Sequence, residues 1–260
     1  MRKQLLYLLP MALLLWGCPG ESDDAPKPEE ECLLQSESVT SVGGGADYPI
    51  WTSRYTYNSQ KQLTAVARDS SGVPVSQSTL SYDSNNRLVQ VKTANAELVY
   101  EYNSKNQLVK QTRNRQSGTA QNQDYYAFTY NSNNELAEAR YYYVVSGSPS
   151  FYYIWKYTYT KGNPTRVEQL NTRDERIALL ELSYDEKPSA KPALADTFFE
   201  PTSAPAANNP IAGTLNAPGF GTQKYTIAYT YNQKGLPLTA TQTYVNGSIN
   251  QVTTYTYTCP

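Results

Sequence analysis

A nine-residue unit, Tyr100-Glu-Tyr102-Asn-Ser-Lys-Asn-Gln-Leu108, recurs along this chain and restricts it to one class of fold. Close copies run from Tyr55-Thr-Tyr57-Asn58 to Leu63, from Leu80-Ser-Tyr82-Asp83 to Leu88, and from Phe128-Thr-Tyr130-Asn131 to Leu136. Looser copies begin at Tyr157, Leu182 and Tyr229, and Tyr255-Thr-Tyr257 is half a copy. Each sets two aromatic or apolar residues two apart with a polar residue between, the period of a strand with one buried face. An Asn or Asp follows, whose side chain accepts from backbone N–H groups further round a turn. The fourth turn residue is Asn86, Asn106, Asn134 or Gly235, types that tolerate a left-handed backbone. A type I turn ending in a left-handed residue is a hairpin loop, so the unit is strand, turn, strand. Lys61 holds that position in the first copy, and a left-handed lysine is mildly strained.

The key tyrosines Tyr57, Tyr82, Tyr102, Tyr130, Tyr159, Tyr184, Tyr231 and Tyr257 lie about 20 to 29 residues apart, with one gap near double. Each unit therefore holds two strands and two turns. The second set of turns varies: Asp69-Ser-Ser-Gly72, Thr93-Ala-Asn-Ala96, Gln116-Ser-Gly-Thr119, Ser146-Gly-Ser-Pro149 and Val245-Asn-Gly-Ser248. The pattern predicts an all-β fold, an antiparallel meander of about 16 strands in a strongly twisted sheet or a closed barrel. Similar Asx turns would sit at one end and varied tips at the other, and varied tips are where binding sites are most easily carried. With 24 Tyr against 2 Met, much of the core must be tyrosine, its ring buried and its hydroxyl bonded or wet.

Residues 32–260 read as a single β-repeat domain interrupted by a Pro/Ala-rich insertion at 186–223. The stretches Glu186–Pro192 and Pro201–Pro210 cannot form sheet interior, because proline removes ladder donors. Between them lies the apolar Leu194–Glu200, with Phe198 and Phe199. A loop of this length has a job or hides an element, here a return strand or an apolar plug. Tyr184 and Tyr231 both end strands running toward the Asx-turn end, so an odd number of strands separates them. One return strand in the insertion makes the total even and the first and last strands antiparallel. That places Cys32 and Cys259 at the same end, and a disulfide between them is expected in an oxidising compartment.

Residues 1–17 have the pattern of a lipoprotein signal peptide: Arg2 and Lys3, then an apolar run from Leu5 to Leu15 too short to span a membrane. Leu15-Trp-Gly-Cys18 resembles a bacterial lipobox, which implies lipidation at Cys18 and a membrane partner through that anchor. Residues 18–31 are charged and Pro-rich, the composition of a disordered tether. Ser22-Asp23-Asp24 is similar to the tag that takes such lipoproteins to the cell surface; a solvated acidic spacer is the other reading.

The repeats themselves resemble the tyrosine-rich YD (RHS-type) repeat, whose core reads Tyr-Asp-x-x-Gly-Arg-Leu; Tyr82-Asp-Ser-Asn-Asn-Arg-Leu88 is the nearest match. From Cys32 to Cys259 the arrangement resembles a family of secreted Bacteroidetes-type lipoproteins carrying a domain of unknown function described as porin-like. That resemblance implies a β fold and an outer-membrane lipoprotein, on the periplasmic face or the cell surface. It implies no catalytic residue.

There is no histidine, which removes Ser-His-Asp and Cys-His catalysis and imidazole metal sites. CxxC, HExxH, Walker and GxGxxG motifs are absent from the sequence, so no catalytic residue, metal or cofactor is expected. Gly43-Gly-Gly45 reads as a hinge. Paired carboxylates can hydrolyse glycosides, but Asp83 and Asp185 hold turn positions and Asp174-Glu175 a hairpin tip; Asp196 and Glu200 only flank the apolar segment. No basic patch marks the chain for nucleic acid. Alternate residues of many strands are Thr, Gln, Glu or Lys, which is not the lipid-facing band of a transmembrane pore.

One stretch departs from simple alternation. Tyr141-Tyr-Tyr-Val-Val145 faces Phe151-Tyr-Tyr-Ile-Trp155 across Ser146–Pro149, with aromatics on both faces. Burial on both sides accounts for that; so does a platform of Tyr142, Tyr152 and Trp155 stacking on sugar rings or a protein ligand. The expected function is a non-enzymatic, lipid-anchored envelope protein that binds a glycan or another surface component. A periplasmic structural or assembly module is the alternative, and a carboxylate-based hydrolase the third.

Overall fold

The computed structural model describes residues 32–42, 48–117, 120–189, 204–219, 221–245 and 250–259. The signal segment, Cys18, the tether, Gly43–Gly45, Phe198, Phe199, Asp196, Glu200 and the Asn246-Gly247 turn lie outside these residues. The strands are β1 (Leu33–Val42), β2 (Tyr48–Tyr57), β3 (Leu63–Ser70), β4 (Val73–Tyr82), β5 (Leu88–Lys92), β6 (Ala96–Tyr102), β7 (Leu108–Ser117) and β8 (Ala120–Tyr130). They continue as β9 (Leu136–Val145), β10 (Ser148–Thr160), β11 (Asn163–Asn171), β12 (Arg176–Pro188), β13 (Asn208–Ala217), β14 (Gly221–Tyr231), β15 (Pro237–Tyr244) and β16 (Asn250–Thr258). Each pairs antiparallel with the next, and β1 pairs with β16 from Leu33↔Thr258 to Val42↔Asn250. The meander closes into a 16-stranded barrel. Cys32 and Cys259 are joined by a disulfide beside that seam.

The repeat unit makes one end of the barrel. In the β2–β3 turn Asn58 N–H donates to Gln62 O at 2.9 Å and Lys61 N–H to Asn58 O at 3.0 Å. Asn58 Oδ1 accepts from the N–H groups of Gln60 and Gln62. The turns beginning at Asp83, Asn103, Asn131 and Asn232 repeat these bonds. Lys61, Asn86, Asn106, Asn134 and Gly235 all take positive φ, 62° at Lys61. Because an L side chain is strained there, Lys61→Gly should raise stability by about 0.5–1 kcal/mol, read from the midpoint of urea unfolding.

Each turn is followed by a register shift that leaves one extra residue on the outgoing strand, as between Ser81↔Gln90 and Tyr82↔Leu88. A bulge leaves a carbonyl without a ladder partner, and the motif tyrosine supplies the donor. Tyr57 Oη donates to Leu34 O, Tyr82 to Leu63 O, Tyr102 to Leu88 O, Tyr130 to Leu108 O and Tyr184 to Pro164 O, all at 2.8–3.0 Å. In the last full unit Tyr229 takes this role toward Pro210 O, and Tyr231 turns to Asp185 instead. The rings form an inward belt near this end. In these copies the tyrosine of the repeat is a fastening for the hairpin.

Inward residues form the core: Val91, Leu98, Tyr100, Leu108, Tyr126, Phe128, Leu136, Ala139, Trp155, Val167 and Leu180 make one buried cluster, and Leu34, Ala240 and Tyr255 a second. Gly213 on β13 keeps this face open, since a Cβ there would collide with the Tyr225 ring that crosses it. The outward face is polar. Lys110 pairs with Glu101, Arg166 with Glu181, and Arg176 with Glu168 at 3.3–3.4 Å across neighbouring strands, and Arg166 with Glu168 at 2.9 Å along β11. Thr226↔Thr243, Thr230↔Thr239 and Ser36↔Thr256 carry the same polarity round to the seam. A mainly apolar inside and a charged outside are the reverse of a barrel solvated by lipid.

Three expectations change. The return strand expected in the insertion is β13, at 208–217, but it contains Pro210, and β12 runs on through Pro188, so both Pro-rich stretches expected to stay out of the sheet enter it in part. Proline is accommodated because Tyr184↔Pro210 falls at a register shift, where the ladder is already interrupted. Asp185 is not in a turn: it lies in β12 and accepts from Lys187 N–H, Asn209 N–H and Tyr231 Oη. An Asx turn also occurs at the other end, where Asn171 closes β11 to β12, while Lys161-Gly162 makes a tight turn in its place between β10 and β11.

Candidate functional site

The varied tips gather at the end away from the disulfide. There the β5–β6 hairpin is short, turning at Thr93–Asn95, while β7–β8 and β9–β10 rise beyond it. The difference in height leaves an open groove of ≈ 730 Å³ running from Thr93–Ala96 across β7–β8 to Ser146-Gly147. Its lining is polar: Asn95, Asn114, Asn122 and Gln123 present amides, and Lys92, Glu97 and Arg115 the charges. Gln123 Nε2 donates to Asn114 Oδ1 at 2.9 Å. Lys92 stands 3.8 Å from Glu97.

Below the groove on the same outward face lies an aromatic strip. Cross-strand register sets Tyr125 against Tyr142, their rings stacked at 4.8 Å and 13°. Phe151 follows on β10, tilted against Tyr142 at 5.6 Å. Lys110 Nζ sits 4.9 Å over the Tyr125 ring, a cation–π contact. Partial burial raises the Tyr125 phenol pKa, with Tyr142 adding to it, so both the stack and the cation contact involve a neutral ring. Amides able to read hydroxyls beside stacked apolar rings are the chemistry that pyranose sugars require.

Behind the strip the inward face is closed. Asp124 is 1 % exposed and takes Arg113 Nε and Nη2 at 2.9–3.2 Å, with Arg115 as a second guanidinium partner. Two guanidiniums on one carboxylate leave surplus positive charge at the wall to which Arg115 contributes. Tyr126 and Tyr153 bond hydroxyl to hydroxyl at 2.8 Å, and Tyr141 stacks on Tyr153 at 4.7 Å. Burial, then the Tyr153 contact, drives the Tyr126 phenol pKa far up.

The structure separates the three residues singled out from the sequence. Tyr142 is on the outward strip. Tyr152 is 66 % exposed, but it is the extra residue of a bulge between Phe151↔Tyr142 and Tyr153↔Tyr141, and it meets Tyr141 and Tyr153 edge-on. Trp155 is in the core, 9 % exposed and packed on Tyr153, so it is corrected from a platform residue to a packing residue. Alternation explains it: beyond the bulge, Tyr153 and Trp155 share the inward face. Tyr125, Asn114 and Gln123 carry no sequence signal, because three hairpins must meet before they become neighbours.

The carboxylates are engaged structurally. Asp83 accepts from Asn85 and Arg87 N–H and from the Arg87 guanidinium, and these bonds, Arg87 N–H first, lower its pKa. Among the described residues no group of three or more His, Cys, Asp or Glu is placed to hold a metal ion. The barrel is similar to two solved structures. A porin-like protein from Bacteroides uniformis matches with a TM-score of 0.60 at 16% identity, over 86% of this chain and 98% of that one. A porin-like protein from Bacteroides vulgatus matches at 0.54 and 11% identity, over 85% and 97%. No family model matches the chain, and no curated protein does.

Proposed function

We propose that this chain is a non-enzymatic envelope protein, anchored through a lipid on Cys18, whose barrel presents the groove and the Tyr125–Tyr142–Phe151 strip to a glycan. The observation that carries this reading is the stacked outward pair Tyr125–Tyr142 beside an amide-lined groove. The porin-like neighbours support an envelope barrel, and the charged outward ladder argues against a pore, since acyl chains cannot solvate it. The lipobox-like Leu15-Trp-Gly-Cys18 supports the anchor.

The chain enters β1 at the disulfide end, and the thirteen residues Pro19–Glu31 separate Cys18 from Cys32. Thirteen extended residues reach at most about 45 Å. Anchored there, the barrel would hold its groove away from the membrane. A second reading, a periplasmic assembly module, is favoured by an unpaired strand edge on β4 at the groove end of the barrel.

The test is binding of full-length protein to immobilised polysaccharides, neutral and acidic, with Tyr142→Ala as the variant. Loss of at least tenfold in affinity with no change in melting temperature is expected. Equal binding by Tyr142→Ala, or none by the parent, removes the glycan reading. Protease shaving of intact cells separates the two faces: release of fragments from 32–260 supports cell-surface display, and complete protection supports the periplasmic module.

A further inference from the structure

The barrel wall has a step at β4. Residues 73, 74 and 76–78 pair with β3, from Ser70↔Val73 to Val66↔Ser78, and Val75 is the extra residue of a bulge between Asp69↔Pro74 and Arg68↔Ser76. On the other side β5 reaches only to Thr79↔Lys92 before the chain turns at Thr93 N–H to Ala96 O. Among the described residues nothing pairs with the β5 side of 73–78. Six residues leave about 20 Å of edge. Val73 and Val75 are 64 % and 63 % exposed, and no charged residue occurs from Ser70 to Tyr82.

Folded proteins cover or charge such an edge, because its N–H and C=O groups are a template for another strand. Pro74, near the tip, and the bulge at Val75 guard the outer part of this one, and Ser76 to Ser78 pair regularly with β3 and carry neither. We infer that the β4 edge from Val75 to Ser78 is a docking site for an extended, uncharged peptide segment of a partner protein, added as a strand above β5. Main-chain bonds supply the affinity and the two valines an apolar contact. A second copy of the barrel fits poorly. Pairing β4 to β4 would bring the other copy's β3 and β2 over the β5–β6 turn, where β7 rises past Arg115 to Ser117. A lone segment has nothing behind it to collide.

The inference is independent of the glycan reading, because the edge shares no residue with the groove or the strip. The probe is an acetylated, amidated Thr-Val-Thr-Val-Thr peptide N-methylated on alternate amides, which leaves one pairing edge; the control is methylated on every amide. Saturating the full-length protein with the probe should slow deuterium uptake at 73–78 at least tenfold, and the control should not. Val75→Lys should weaken binding at least tenfold. Val145→Lys should not, since it changes an exposed valine beside Val144, which is paired on both sides. Unchanged uptake, equal protection by the control, or equal binding by Val75→Lys overturns the inference. Protection of 73–78 without peptide that disappears on dilution also overturns it, assigning the edge to a second copy.

Discussion

Replacing both Cys32 and Cys259 by Ala should lower the stability of the barrel by about 4–5 kcal/mol, among the largest effects available from a covalent change. The two residues are separated by 227 positions, so the cross-link removes loop-closure entropy of nearly the whole domain from the unfolded state. It also guards the seam. The β1–β16 ladder is the longest-range contact in the fold, and without it the barrel is an open sheet with two bare edges. Urea unfolding with and without reductant gives the difference, and a chain of this size should lose about 10 °C or more in Tm. Free thiols at both positions in non-reducing mass spectrometry would remove the basis for the effect.

Raising the pH above 10 should unfold the barrel cooperatively, with the tyrosinate absorbance appearing as the fold is lost. Burial is the first cause of the raised phenol pKa at Tyr57, Tyr82, Tyr102, Tyr130, Tyr159 and Tyr184, and Tyr130 is pushed up to about 12. Each except Tyr82 also feels the charge its belt neighbour would acquire, which discourages a second ionisation beside the first. Because the folded values lie above those of unfolded tyrosine near 10, the belt's contribution is complete below about pH 10 and is lost as pH rises through the folded values. Absorbance at 295 nm and circular dichroism should move together between about pH 10 and 12. A gradual absorbance rise near pH 10 that leaves the circular dichroism intact would mean that the belt does not hold the fold.

Much of the fold was legible because its information is local. Tyr82-Asp83 through Leu88 encodes a strand, an Asx turn, a left-handed residue and a bulge within a few positions, and the copies repeat it with small changes. Strand parity then led to an even count and to both cysteines at one end. The insertion was harder to read. Pro210 looked like a breaker because a proline in a ladder is costly, and only the register shift opposite Tyr184 shows why it is tolerated. Hairpin 141–155 carries aromatics on both faces, as its sequence indicates, but the bulge at Tyr152 shifts the alternation and sends Trp155 inward.

By itself the sequence determined the strands, their turns, the inward tyrosines and the meander, since period-2 patterning and turn chemistry act over a handful of residues. Only the tertiary structure decided that the sheet closes, that Tyr125 and Tyr142 stack outside while Tyr126 and Tyr153 meet inside, and that β4 stands above β5 with an unpaired edge. Those outcomes depend on the lengths of neighbouring hairpins and on register across strands distant in sequence. No local pattern carries that information, because each hairpin satisfies its own backbone whatever the height of the next.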